Sequence, residues 1–286
     1  VEQTQKQSRK LYEQVMAHIR PLLGAASLIL LSPDGQLTLL PFEALVDEQE
    51  QYLIQRYEFS YLSTGRDLIR FNSSPTSSSN PVVVGDIDYG QVQNLKAIAK
   101  PASHSQNLRS ADLANLVFDS LDATKDEVEA IKGILPNFKV LLNKEATETA
   151  IKQLQAPSIL HLATHGFFLS DQEINFSASL GSFIEQPNPK VLKLENPLLR
   201  SGLALANIYN RNKLASGSDD GVLTALEVAG LNLRGTQLVV MSACDTGKGD
   251  IKVGEGEYGL RRALVIAGSQ SQVLSLWNVS DEATKE

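Results

Sequence analysis

Two stretches of this chain place reactive side chains where an apolar run gives way to small and polar residues. The first is Ile159-Leu-His161-Leu-Ala-Thr-His165-Gly166, and the second is Leu238-Val-Val-Met-Ser-Ala-Cys244-Asp245-Thr-Gly247. Cys244 is the only cysteine of the chain. A thiol attacks well only as the thiolate, and an unperturbed cysteine ionises near pH 8.5, so it needs a base. A neighbouring imidazole takes the thiol proton and later returns it to a leaving amine. Glycine after His165 lets a backbone N–H come close to a developing oxyanion, and the Cys244 N–H is the second candidate donor. The chemistry these residue types point to is nucleophilic attack by a thiol, with Cys244 as the candidate nucleophile, a histidine at the other strand end as the candidate base, and the Gly166 and Cys244 N–H groups as candidate oxyanion donors. Gly247 and Gly249 give the loop after the thiol room to turn.

Each residue has a plainer reading beside the chemical one. A lone cysteine is commonly a small buried hydrophobe, although Asp-Thr-Gly following Cys244 at a strand end is unlike core sequence. A loop histidine such as His165 is commonly just hydrogen-bonded. His161 sits inside the apolar run and reads as structural. The His161/His165 spacing suits a zinc pair on a helix, but Pro157 and the β-type flanks argue for a strand, which would set the two about 13 Å apart. The glycines around 247–256 are not read as a phosphate cradle, because Gly247-Lys248-Gly249-Asp250 lacks the GxxxxGK[ST] spacing and no GxGxxG follows the first strand of an α/β unit.

The elements that must position these residues follow from periodicity and punctuation. Leu11, Val15, Ile19 and Leu22 predict a helix over 3–23, ended by Pro21 and Gly24. Strands are expected at Ser27–Leu31, Leu37–Leu40 and Tyr57–Leu62, with a Pro33-Asp34-Gly35 turn, and a short helix at Thr64–Phe71. Residues 72–80, NSSPTSSSN, form a polar linker. Beyond it, short apolar strands (81–85, 139–142, 158–164, 237–241, 272–277) alternate with helices (124–135, 147–154, 224–230, 257–267). Thr124-Lys-Asp-Glu127 has the form of a capping box. Residues 86–122 show no clear period, and the long stretches 166–200 and 207–221 read first as surface linker, with a groove wall or a segment that orders on activation as the functional alternative. The alternation implies α/β architecture with a mostly parallel sheet, whose ligand site lies beyond the carboxyl ends of its strands. Both reactive stretches end there. The expected division is an N-terminal half, 1–122, and a catalytic half, 123–286.

The 286 residues are enough for a sizeable core, with 42% hydrophobic and 21% charged residues. The net charge of −7 argues against nucleic acid or an anionic membrane as the main partner. One cysteine excludes an intrachain disulfide and a multi-cysteine metal site; separately, no cofactor is expected. The polar N-terminus lacks a signal-peptide core, and the ten-residue run Leu22 to Leu31 is shorter than the roughly 20 residues a membrane helix needs. A cytoplasmic location follows as an expectation.

His165-Gly166 and Ala243-Cys244 resemble the His-Gly and Ala-Cys elements of caspase-like cysteine peptidases. The chain as a whole is similar to the CHAT domain, the caspase-like module associated with tetratricopeptide repeats (TPR) and with HetF-like proteins. The likeness runs through Pro33-Asp34-Gly35, Leu40-Pro41-Phe42 and the 124–135 helix. It continues through His161-Leu-Ala-Thr-His165-Gly166, Gly221-Val-Leu-Thr-Ala-Leu-Glu227, Leu238–Gly247, Gly254-Glu-Gly256 to Gly268, and Ser275-Leu-Trp277-Asn-Val-Ser-Asp281. The resemblance implies a three-layer α/β/α caspase–haemoglobinase fold, a degenerate pseudo-caspase N-terminal half, and a His165–Cys244 dyad that hydrolyses peptide bonds in a protein substrate. It also implies an upstream TPR-type domain or activating partner and a further helical segment after Asp281-Glu-Ala-Thr, so that the chain is expected to be truncated at its C-terminus. Trp277-Asn-Val-Ser-Asp281 looks like a stretch of separase, a related peptidase that cuts after arginine. Asp281 is therefore the candidate substrate-binding acid, with Asp245 and Asp250 as rivals and a helix cap as the plainer role of Asp281. Two alternatives to an endopeptidase stay open: a catalytically silent caspase-like interaction module, and a thiol amidase or transamidase acting on small molecules.

Overall fold

The computed structural model describes residues 2–72, 75–77, 79–90, 116–169, 196–209, 219–243, 249–252 and 256–275. The chain packs as two compact units, Val1–Ser74 with Ile251–Glu257 and Pro75–Asp250 with Tyr258–Glu286.

In the first unit, helices α1 (Glu2–Val15) and α2 (Arg20–Leu23) precede two parallel strands, β1 (Leu28–Leu31) and β2 (Glu58–Tyr61). The helix expected over 3–23 is interrupted at residues 16–19. Pro21 lacks an N–H and its ring would crowd the carbonyl four residues back, so the chain restarts a helix with proline in its first turn. The strand expected at Leu37–Leu40 is instead a 3-10 turn, Gly35–Leu39. Local bonds decide it: the Gly35 N–H donates to the Asp34 carboxylate and the Thr38 hydroxyl to the Gly35 carbonyl, both at 2.8 Å. Thr64–Phe71 is likewise the tighter 3-10 form, Gly65–Asn72. Tyr12, Met16, Phe42, Leu45 and Leu53 form this unit's core.

The second unit carries the site. Its elements begin with β3 (Val82–Ile87), α3 (Asp122–Lys132), β4 (Lys139–Asn143), α4 (Glu148–Lys152) and β5 (Ile159–Ala163). They continue with β6 (Gly166–Phe168), β7 (Ser201–Ala204), β8 (Val222–Thr224), α5 (Ala225–Val228) and β9 (Leu238–Ser242). A two-stranded sheet, β10 (Gly249–Lys252) with β11 (Gly256–Gly259), whose residues are divided between the two units, replaces the glycine-rich loop and the first turn of the helix expected from residue 257. Then come α6 (Leu260–Ala267) and β12 (Ser271–Leu274). The strands β12-β9-β5-β3-β4 form one five-stranded sheet in that order, and every pairing in it is parallel. The fold is thus α/β with a mostly parallel central sheet, as the alternation of apolar strands and helices implies. Strand β3 takes part in this sheet although it precedes residue 122, where the sequence suggested a division.

Val84, Leu160, Leu162, Val239 and Met241 bury one face of the sheet in a core shared with Leu260 and Leu264 of α6. Helix α3 lies close to β3 at Gly85, where an added Cβ would meet Val128 Cγ2 at 2.8 Å. The TxxE pattern in α3 turns out not to be a capping box. The helix starts at Asp122, two residues before Thr124, and its N-cap Leu121 has no side-chain bond. That start leaves Thr124 to accept the Asp86 N–H at 2.9 Å and turns Glu127 toward the sheet. A second sheet, β6-β7-β8, is antiparallel. Its first strand lies within the excursion expected over 166–200, while β7 and β8 directly follow the two expected excursions.

Candidate functional site

Strands β5 and β9 are neighbours in the sheet, and their register sets Leu162 opposite Met241 and Ala163 opposite Ser242. The Thr164 N–H donates to the Ser242 carbonyl at 3.2 Å, so the two chains leave the sheet level with each other. His165 follows two residues after Ala163, at the carboxyl end where parallel sheets present ligands. Ala243 is the last described residue of the β9 stretch. Cys244, Asp245 and Asp281 all lie outside the described residues.

His165 is half-buried and its ring is fixed from three sides. Its Nε2–H donates to the Asp119 carbonyl at 2.8 Å. Tyr89 and Phe118 pack on it, with ring centroids 5.3 and 5.5 Å away. A backbone carbonyl only accepts, so Nε2 carries the proton and the neutral ring keeps Nδ1 as its free lone pair. Below it, the Thr164 hydroxyl bonds the Ala204 carbonyl and lies 3.0 Å from the Tyr89 hydroxyl.

Gly166 opens β6 opposite Leu203. The flanking pair is bonded, with the Ala204 N–H donating to the His165 carbonyl at 2.9 Å. Antiparallel ladders alternate bonded and non-bonded pairs, so Gly166 occupies a non-bonded position and its N–H points away from β7.

His161 faces the other way from Leu160 and Leu162. Its Nε2–H donates to Glu127 Oε1 at 2.9 Å, and Glu127 Oε2 accepts the Ser242 hydroxyl at 2.9 Å. The two histidines therefore have different work. His161 is buried and paired with a carboxylate, while His165 is oriented at the strand end.

A separate polar cluster sits at α4. Glu148 is buried, ion-paired with Lys152, and accepts the Asp220 N–H at 3.1 Å. Lys152 also reaches Glu227 at 2.9 Å, and Asp219 accepts the Thr149 N–H at 2.6 Å. Burial, opposed by Lys152 and reinforced by the nearby Glu227, pushes the Glu148 carboxyl up to about 7. For Glu227, burial alone would raise the carboxyl, but the Thr224 N–H and hydroxyl together with Lys152 outweigh it and hold it low. Thr224 and Glu227 form a capping box at α5 that is written in the sequence as Thr224-Ala-Leu-Glu227.

A family model for the CHAT domain matches residues 5–286. The chain belongs to the CHAT domain family. This family is caspase-like and protease-related, which agrees with the parallel sheet and with the histidine at its carboxyl edge. No curated protein sequence matches the chain. In this CHAT domain, no group of three His, Cys, Asp or Glu side chains is disposed to hold a metal ion, among the described residues. Among the same residues, no helix is long and apolar enough to cross a membrane. The residues that orient His165 (Asp119, Tyr89, Phe118) were missed from sequence. They come from a stretch without periodicity, and a backbone carbonyl leaves no mark in a side-chain pattern. The one available signal was the presence of the aromatic residues Tyr89 and Phe118 at the ends of that stretch.

Proposed function

We propose that this CHAT domain is a cysteine endopeptidase with Cys244 as nucleophile and His165 as its base and acid. The observation that carries the reading is the orientation of His165 by the Asp119 carbonyl, at the level end of the strand next to the one that runs into Ala243-Cys244. Nδ1 accepts the Cys244 proton as sulfur adds to the scissile carbonyl carbon. The oxyanion is held by the N–H groups of Gly166 and Cys244. Nδ1–H then protonates the leaving amine and a thioester remains. Water, deprotonated by Nδ1, adds to the thioester, and the carboxylic acid product and the thiol are released. Asp281, with Asp245 as the rival acid, is read as the carboxylate that pairs with a basic residue before the cleaved bond. Gating by an upstream TPR-type domain or an activating partner belongs to the same reading, because an ungated protease would damage its own cell.

The test is cleavage of a peptide library by the chain, alone and with candidate activators. Cleavage after Arg, with Lys second, is expected. Cys244→Ala is expected to abolish turnover in a folded protein, and His165→Ala to lower kcat by about four orders of magnitude. Asp281→Ala should raise the barrier for Arg peptides by about 2–5 kcal/mol. A Cys244→Ala protein that still cleaves would overturn the reading. Preference for acidic or apolar residues would overturn only the assignment of Asp281.

A further inference from the structure

The Asp119 carbonyl that orients His165 belongs to a short stretch, residues 116–120, with no regular secondary structure. Such a stretch holds a carbonyl in place only if something holds the backbone. Tyr209 does so. Its hydroxyl accepts the Phe118 N–H and donates to the Phe118 carbonyl at 3.3 Å. One side chain thus takes both backbone groups of the residue before Asp119. The rings of Tyr209 and Phe118 also pack, with centroids 6.4 Å apart.

The contacts close into a ring around the histidine. The Tyr209 N–H donates to the Tyr89 carbonyl at 3.3 Å, Tyr89 packs on His165, and the Tyr89 hydroxyl is 3.0 Å from that of Thr164. Phe118 meets His165 by its ring, while the next carbonyl bonds Nε2. Tyr209 itself does not contact His165 in any of these interactions. It acts through the Phe118–Asp119 dipeptide, which supplies one wall of the imidazole and its hydrogen-bond acceptor.

We propose that Tyr209 is a positioning residue of this site, whose hydroxyl clamps the Phe118–Asp119 backbone so that the Asp119 carbonyl holds His165 in the Nε2–H tautomer. The catalytic consequence rests on the peptidase reading; the clamp itself does not. The informative change is Tyr209→Phe, which keeps the ring packed on Phe118 and removes only the hydroxyl. A base displaced by a fraction of an ångström loses rate rather than substrate affinity. The expected kinetic effect is a fall in kcat of roughly 10- to 100-fold with KM nearly unchanged.

The test is NMR of the full chain labelled at histidine, where four histidines make assignment by substitution practical. In the wild type, the His165 Nε2–H is expected to be visible and protected from exchange with water. In Tyr209→Phe, with secondary structure and the other three histidine signals unchanged, that protection should fall at least about tenfold and the ring nitrogens should shift toward a tautomer mixture. An unchanged His165 signal in folded Tyr209→Phe would overturn the clamp, whatever the activity. If the variant does not fold, the wild-type spectrum still decides, because a rapidly exchanging His165 Nε2–H would sink the proposal. The two readings separate cleanly. Loss of protection in a chain that cleaves nothing keeps the clamp and removes the peptidase. Cleavage with an unmoved His165 signal does the reverse.

Discussion

The hydroxyl of Ser242, at the end of β9, donates to the buried carboxylate of Glu127 at 2.9 Å. The other oxygen of that carboxylate takes the His161 Nε2–H, so one side chain of α3 ties together the two strands that lead to the site. Register explains why they meet. Ser242 stands opposite Ala163, and His161 lies on the same sheet face as Ala163 because side chains alternate along a strand.

Breaking this buried pair from one side should be costly. Glu127→Ala and His161→Ala are each expected to destabilise the protein by about 1–3 kcal/mol, the range for leaving a buried hydrogen-bonding group without its partner. A double substitution by apolar residues, Glu127→Leu with His161→Phe, should recover part of that loss, because only the Ser242 hydroxyl is then left without its partner. Urea unfolding of the single and double variants measures both. Folded His161→Ala should retain peptide turnover, since the ring is engaged with Glu127. If it were inactive while His165→Ala was not, the roles given to the two histidines would have to be exchanged.

Much of this organisation could be read from the chain. The strands at 139–142, 158–164 and 237–241 lie within a residue or two of the observed β4, β5 and β9, because each is a short, compact apolar run. His161 could be separated from His165 because one sits inside such a run and the other at its end. What escaped is what side-chain patterns do not encode. The Thr124–Glu127 spacing satisfied the rule for a cap, but the helix begins earlier and commits Glu127 to His161 and Ser242. Leu37–Leu40 has strand composition, yet Asp34, Gly35 and Thr38 bind their own backbone first. The β6-β7-β8 sheet was hidden because Gly166–Phe168 and Ser201–Ala204 are too short to show alternation.

Gly85 tests how closely α3 must approach β3. An added methyl would stand 2.8 Å from Val128 Cγ2 and 3.3 Å from the Thr124 carbonyl, with Ala163 Cβ at 3.6 Å. Neither the helix backbone nor a fully buried valine can move away freely in a packed interior. Gly85→Ala is therefore expected to cost about 1–3 kcal/mol, the usual range for overpacking. The shift should also reach Glu127, on the same helix, and loosen the His161 contact. Thermal unfolding gives the first quantity, and the exchange rate of the His161 Nε2 proton gives the second. A Gly85→Ala protein as stable as the wild type would show that α3 is free to lift away from the sheet.

Glu148 gives the pH dependence its sign. Its carboxyl is pushed up to about 7, first by burial, against the pull of Lys152 and with the help of Glu227 and Asp220, from an ordinary value of 4.5. The folded protein therefore holds this proton more tightly than the unfolded chain does. Its contribution to stability is fully present below about pH 4.5 and is lost as pH rises through about 7. The loss between pH 5 and pH 8 should be on the order of 2 kcal/mol, since each tenfold difference in proton affinity between the folded and unfolded states is worth about 1.4 kcal/mol. Glu148→Gln, which keeps the shape of the protonated acid, should remove this slope. The difference in unfolding free energy, wild type minus Glu148→Gln, is then expected to fall steadily from pH 5 to pH 8. The ionised form keeps its bonds to Lys152 and the Asp220 N–H, so the variant should be weakened by losing them at the alkaline end and the difference need not change sign. Urea titrations of both proteins at pH 5, 6, 7 and 8 measure the slope. A difference that stays flat, or that grows with pH, would mean that Glu148 is already ionised across this range and that Lys152 outweighs burial.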